Sequence, residues 1–351
     1  MKKTTIILLL IFTITLGFSQ SQEAYKLMKE GIVLHDKGKY KKAIKKYDKA
    51  LKIEPKNISF LYEKASSLTS LKEYKKAIKV CKKCIKINPN SVTLKQVYTV
   101  YANSTDLIGK PKKAIEIYNE AIKKFPDYYH LYFNRGITEI QNGMGEEAVK
   151  SFETSTKLNP KHASSHNALA ITLNSRTSNI PKLFVGCRFL ILEPETKRST
   201  LILPMMQRIV LGKKNVKKTD DNSISISFDG NMLSDSGEII ENDFSSVNLI
   251  LLMSSALNMS EENENKTEIE KFISTFETVV SMVSETKKDN YGYYWEHFVP
   301  YYVEMKEKGF LETFAYIIHA SEDKKNINKW LKKNGDKIEE FYKWSSEYEW
   351  K

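Results

Sequence analysis

Cysteine is scarce in this 351-residue chain. Cys81, Cys84 and Cys187 are too few for a disulfide framework, so the fold has to stand on packing alone. Histidine is limited to six residues, and neither an H-E-x-x-H helix nor a second Cys-x-x-Cys accompanies Cys81 and Cys84 as a zinc site would need. The 14 glycines build no P-loop, no G-x-G-x-x-G turn and no G-x-S-x-G elbow. These gaps remove the enzyme classes that announce themselves by motif. An active site assembled from distant residues in 230–351 remains as the enzymatic alternative.

Long apolar runs are also missing, with one exception. Residues 4–18 follow Lys2 and Lys3 and are uncharged and mostly apolar, but shorter than the roughly 20 residues a spanning helix needs. Gly17 and Ser19 put small residues where a signal peptidase wants them, so 1–19 reads as a signal peptide cleaved before Gln20. The expectation is export to the periplasm, or secretion, from a Gram-negative bacterium, with no stable membrane span after cleavage. Charge is uneven. Residues 21–200 carry 34 Lys and Arg against 17 Asp and Glu, whereas 201–351 carry 19 against 26. Export makes nucleic acid a poor partner for the basic half, and a lysine-rich solvated face is the plainer reading.

Five of the nine prolines carry the organisation. Pro55 and Pro89 are 34 apart, as are Pro126 and Pro160, and Pro160 and Pro194. In register with them lie units 24–57, 58–91, 95–128 and 129–162, and a degenerate fifth, 163–196. Small residues recur at the eighth position, as Gly31, Ala65, Ala102, Gly136 and Ala170, and at the twentieth, as Ala43, Ala77, Ala114 and Ala148. Two helices per unit can approach closely there, and the proline stops the second helix because it lacks an N–H and clashes with the preceding turn. The fifth unit has Lys182 at the twentieth position and the bulky stretch LFVGCRFLILEP, as expected of a terminal unit that docks onto the C-terminal part of the chain.

A 34-residue period with this pattern resembles the tetratricopeptide repeat (TPR) superfamily over 24–196. The resemblance implies an all-α fold, a right-handed superhelix of five helix-turn-helix units whose first helices line a concave groove for an extended peptide or partner helix. In that register the groove positions include Tyr25, Met28, Tyr62, Asn103, Phe133, Asn134 and Asn167. Side-chain amides donate and accept, suiting the backbone of an extended chain, and aromatic rings supply buried area. The carboxylate clamp of chaperone-binding relatives is not matched, because Ser164 and Ala168 stand where cations are required. Cys81 and Cys84 occupy the inward twenty-fourth and twenty-seventh positions and read as packing, not redox chemistry. His162 and His166, four apart, read likewise as packing.

Beyond the repeats, 197–212 reads as a capping helix and 213–230 as a linker with a short β element. There SISISF (223–228) followed by Asp229-Gly230 suggests a hairpin over about 223–234. Residues 231–351 read as a helical domain with runs near 243–259, 262–287, 291–308, 310–320 and 324–347, kinked at Pro300. The aromatic stretch YGYYWEHFVPYY (291–302) is assigned to its core in preference to a sugar platform. The chain is therefore expected to be an exported, non-enzymatic interaction or scaffold protein. No catalytic residue, metal or cofactor is assigned, its partner is a protein or peptide of the cell envelope, and homo-oligomerisation is left open. One further reading pairs the basic repeats with the acidic C-terminal part of a neighbouring copy.

Overall fold

Each repeat's apolar spacing becomes a pair of antiparallel helices in the computed structural model, which describes residues 21–173, 179–212, 216–218, 224–227 and 240–350. The chain divides into two compact units, Met1–Ser151 and Phe152–Lys351. Among the described residues, no helix is long and apolar enough to cross a membrane.

The first unit runs α1 (21–36), α2 (Tyr40–Ile53), α3 (Ile58–Ser70), α4 (Tyr74–Ile87), α5 (Leu94–Leu107), α6 (Pro111–Lys124), α7 (Tyr129–Gln141) and the start of α8 (Gly145–Leu158). Each second helix stops two residues short of its proline: α2 before Pro55, α4 before Pro89, α6 before Pro126. Ala43, Ala65, Ala77, Ala102 and Ala114 are fully buried, as the close approach of paired helices requires. At Gly31 a Cβ would collide with the Tyr47 ring, so the eighth position is small for a steric reason.

The turn inside each pair has a fixed geometry. Its fifteenth position is Gly38, Lys72, Gly109 and Gly143 in successive repeats, with φ of 69°, 64°, 78° and 76°. Glycine adopts this left-handed conformation freely, whereas a side chain costs about 1–2 kcal/mol there. Lys72 alone carries that cost.

The second unit contains the rest of α8 and then α9 (Ala163–Thr172), α10 (Asn179–Leu192) and α11 (Ser199–Val210). The strands β1 (Val216–Lys218) and β2 (Ile224–Ile226) come next, then α12 (Ser245–Leu257), α13 (Glu268–Thr286), α14 (Tyr293–His297), α15 (Val299–Glu307), α16 (Leu311–Ile318), α17 (Lys325–Lys333) and α18 (Gly335–Glu347). Every residue from Ile180 to Ile191 is buried. A helix buried and mostly apolar around its whole circumference belongs in an interior, and α10 is contacted by α9, α11, α12 and α16. The Tyr302 hydroxyl donates to the Phe184 carbonyl at 2.6 Å, and the two rings stack at 4.7 Å. Tyr294, Trp295, Phe298, Tyr301 and Tyr302 are all buried, so most of the aromatic stretch is core.

Arg188 is one of two buried charged residues on α10, with Lys182, and is only 1% exposed. Its guanidinium donates to the Tyr301 hydroxyl at 3.1 Å and to Ser345 Oγ at 2.8 Å, and it lies over the rings of Tyr301 and Trp350 at 5.1 and 4.9 Å. Ring faces and hydroxyls stabilise this charge where a carboxylate would be the usual partner.

Three boundaries differ from the sequence reading. SISISF pairs backwards with β1, Val216 opposite Ile226, so the ribbon ends where the expected hairpin begins; Asp229 and Gly230 lie outside the described residues. Val216 is 2% exposed and the ribbon lies against α12, which gives its apolar positions cover. Pro300 occupies the first turn of α15, where its missing N–H costs nothing, so the run over 291–308 is two helices broken at Phe298. The run over 324–347 is likewise two helices, interrupted at Asn334.

Replacing Lys72 by Gly is expected to raise stability of the first unit by about 1 kcal/mol in urea unfolding. No gain would show that the turn is unstrained. A second expectation concerns pH. His166 is fully buried, with Nε2 bonded to the Pro160 carbonyl at 3.0 Å; burial, and then the Arg188 charge, hold its pKa well below the usual histidine value. Burial also lowers the pKa of His319. Below pH about 6.5 the unfolded chain binds protons that the fold refuses, so stability falls with pH by about 1.4 kcal/mol per unit for each such histidine. Unfolding of the second unit between pH 7 and 5.5 should show that slope, reduced in His166→Phe; a flat profile would exclude it.

Candidate functional site

The first helices of successive repeats lie side by side, α3 against α5 and α5 against α7. Two rows of polar contacts fix their register. One joins the twelfth position of a repeat to the tenth of the next: His35 Nδ1 to Ser67 Oγ at 2.7 Å, Thr69 to Ser104 at 2.8 Å, and Thr138 donating to Asp106 at 3.1 Å. The other joins the twenty-fifth position to the next repeat's seventh. It is an ion pair at Asp48 and Lys64 (2.6 Å), an ammonium over a ring at Lys82 and Tyr101 (5.7 Å), and a hydrogen bond from Arg135 to Asn119 (2.8 Å). Neither row is part of the sequence reading, although both are consistent with aligning the repeats.

On two of the same helices, α5 and α7, lie the expected groove residues Asn103, Phe133 and Asn134. Asn103 Nδ2 donates to Asn134 Oδ1 at 3.3 Å, and Asn134 Nδ2 donates to the His130 carbonyl at 2.7 Å. The Tyr118 hydroxyl donates to Asn103 Oδ1. Both amides are therefore held in one orientation, and each retains one N–H that these bonds do not use. Phe133, half-buried, precedes Asn134 on α7. Tyr62, half-buried on α3, packs on the same apolar cluster as Tyr101 and Tyr128. Burial, and then the neighbouring Tyr62, push the Tyr128 hydroxyl up to about 12.

Around His130, itself an expected groove position, is a patch whose tyrosines are absent from the expected groove set. Tyr129 stacks on His130 at 4.0 Å, Tyr128 meets it edge-on at 5.2 Å, and Lys95 Nζ lies 5.0 Å from the centre of the Tyr128 ring. The run DYYHLYF (127–133) is the sequence signal for it. Tyr25 and Met28 lie further off, on α1. Tyr25 packs edge-on against Phe60 at 5.2 Å and is 45% exposed, while Met28 covers the small core of Ala24, Leu27, Ala50 and Phe60. Tyr25 also lines a cavity of about 1010 Å³ with Val33 and Leu34. Asn167 is half-buried on α9, in the second unit.

The residues that looked like chemistry are packed. Cys81 and Cys84 are free and fully buried inside α4, as inward helix positions require. Burial pushes the Cys84 thiol up to about 11 and that of Cys81 higher still, the opposite of an activated thiolate. His162 bonds Ser165 and His166 bonds Pro160, so the two rings have separate partners. Among the described residues, no three His, Cys, Asp or Glu side chains converge to hold a metal.

Stacked helices joined in register, with rings and oriented amides at half-exposed positions, define a helical-repeat interaction module. Family profiles agree: one described as TPR repeat matches residues 31–68, and two described as tetratricopeptide repeat match 58–91 and 108–163. Residues 31–91 and 108–163 are thus matched as tetratricopeptide repeats. It is similar to the solved structure of pilF from Pseudomonas aeruginosa, with 19% identity over 54% of this chain and 86% of that one and a TM-score of 0.47. A thermophilic TPR protein from Thermus thermophilus gives 19% identity over 52% and 97%, with a TM-score of 0.45. YrrB, described as a TPR protein with an unusual peptide-binding site, gives 18% over 55% and 96%, with a TM-score of 0.38. No curated protein matches the chain.

The cysteine assignment predicts a simple result. At pH 8, alkylation of Cys81 and Cys84 in the folded protein should be at least about 100-fold slower than in denaturant, since only the thiolate reacts. Rapid labelling of both, or a reversible Cys81–Cys84 disulfide, would make the pair chemical after all.

Proposed function

We propose that this chain is an exported, non-enzymatic scaffold that binds an extended peptide or partner helix of a cell-envelope protein on the first helices of its repeats. The observation that carries the reading is the Asn103–Asn134 pair, oriented by Tyr118 and the His130 carbonyl and flanked by Phe133. Amides already fixed in place lose little conformational freedom when they donate to a bound backbone, and that preorganisation raises affinity. Half-buried rings such as Tyr62 and Phe133 offer anchoring area at small entropic cost. Export rests on residues 1–19, whose apolar run and small residues before Gln20 suit a signal peptidase.

A capture from envelope extract, followed by titration of peptides cut from the captured protein, tests the reading. Asn103→Ala with Asn134→Ala, and separately Tyr62→Ala with Phe133→Ala, should each weaken peptide binding by about tenfold or more, while the helical circular dichroism is retained. Unchanged affinity in both variants would remove the site. The export element is checked by mass spectrometry of the protein made in its own host, where the mature chain should begin at Gln20.

A further inference from the structure

Lysines crowd the outward side of α4, at 75, 76, 79, 82, 83 and 86. Between them Ile78, Val80 and Ile87 form the apolar floor of a groove of about 920 Å³. A second depression of about 530 Å³ continues from it and shares Lys79 and Val80. Lys76 is engaged by Glu73 and Lys82 lies over Tyr101, whereas Lys75, Lys79 and Lys86 make no ion pair among the described residues. An apolar floor framed by unpaired cations fits a partner surface that is acidic and partly aromatic.

The same chain carries such a surface. In the second unit, Glu304, Glu307, Glu347 and Glu349 line a cavity of about 560 Å³ together with Trp344 and Tyr348; Lys287 also lines it. Trp344 is fixed by donating its indole N–H to Glu304 at 2.7 Å and by stacking on Tyr301 at 5.0 Å. Glu307, Glu347 and Glu349 make no ion pair among the described residues. A lysine ammonium entering this cavity would find carboxylates beside aromatic side chains, two environments that favour it.

We propose that the lysine groove of α4 receives the Glu- and Trp-lined surface of a second copy of this chain, head to tail. The charge balance supports this occupant: residues 21–200 hold 34 basic against 17 acidic residues, and 201–351 hold 19 against 26. Each copy therefore presents both halves of the contact. The two halves are different surfaces, so the contact is heterologous and extends into longer chains unless its rotation closes a ring. Its ion pairs are exposed and will weaken with salt. This surface is separate from the first-helix site around Asn103, and either can fail alone.

Sedimentation velocity on the mature protein decides the matter. Between about 1 and 100 µM at about 50 mM salt, the wild type should form dimers and longer species, and about 500 mM salt should weaken association by tenfold or more. Lys79→Glu with Lys83→Glu should give a monomer, as should Glu307→Lys with Glu347→Lys, since each then sets like charges against each other. Mixing the two variants should restore a complex, because the native groove of one meets the native acidic surface of the other. Circular dichroism melts establish that both variants fold. A wild type that stays monomeric at low salt, association that survives both reversals, or a mixture that stays monomeric would overturn the proposal. So would a monomeric protein that binds polyglutamate or phosphatidylglycerol vesicles through the groove, which would assign it to a foreign acidic chain or a membrane.

Discussion

A helical hairpin can bury only the surface between its own two helices, and the apolar surface left outside has to be covered by the next hairpin. In the first unit the covering is periodic. Small residues at the eighth and twentieth positions let each pair close, and the buried residues of one repeat pack on those of the next, from Leu61 and Cys81 through Tyr98 to Tyr118 and Leu131. The buried cysteines belong to this demand. They occupy places that Tyr118 and Ala121 fill one repeat later, and they are fully excluded from water like those residues.

The second unit meets the same demand without periodicity. α10 holds the place of a fifth repeat's second helix, yet it is buried around its whole circumference. Covering such a helix takes elements on every side, which α9, α11, α12 and α16 supply. The aromatic stretch then fills space against it, with Tyr302 joined to Phe184 by both a ring stack and a hydrogen bond. Arg188 brings together Tyr301, Ser345 and Trp350 around one guanidinium, all of them far from it in sequence.

What was legible in the sequence was what local sterics dictate. Prolines end helices, small residues mark close approach, and the bulky LFVGCRFLILEP stretch departs from the pattern because α10 has different neighbours. The seven groove positions came from the same register, and the structure joins Asn103 to Asn134 while Tyr25, Met28 and Asn167 lie on other helices. Less legible was anything settled by a distant partner. The strand SISISF alternates cleanly, but alternation does not say which segment it pairs with, and β1 has the unpromising sequence VKK. The cage around Arg188 is assembled from residues more than 100 positions away on α15, α18 and the C-terminal stretch. The split of 324–347 was readable from Asn334-Gly335, a turn signal outweighed by the helical pattern on either side.

The two polar rows between repeats show what such a register specifies. At the twenty-fifth and seventh positions the contact is an ion pair, then a cation over a ring, then a neutral acceptor to an arginine, three chemistries in one place. Exposed pairs of this kind contribute about 0–1 kcal/mol each, too little to hold a repeat in place against the loss of its apolar cover. Their constancy is in position, and position is what they can determine. A neighbouring hairpin that slid along its partner would keep much of its non-directional apolar burial but lose every contact in both rows at once. Burial thus supplies the adhesion between repeats and the polar rows select one alignment. That alignment brings Asn103 within reach of Asn134, so the proposed binding face depends on contacts that never touch it.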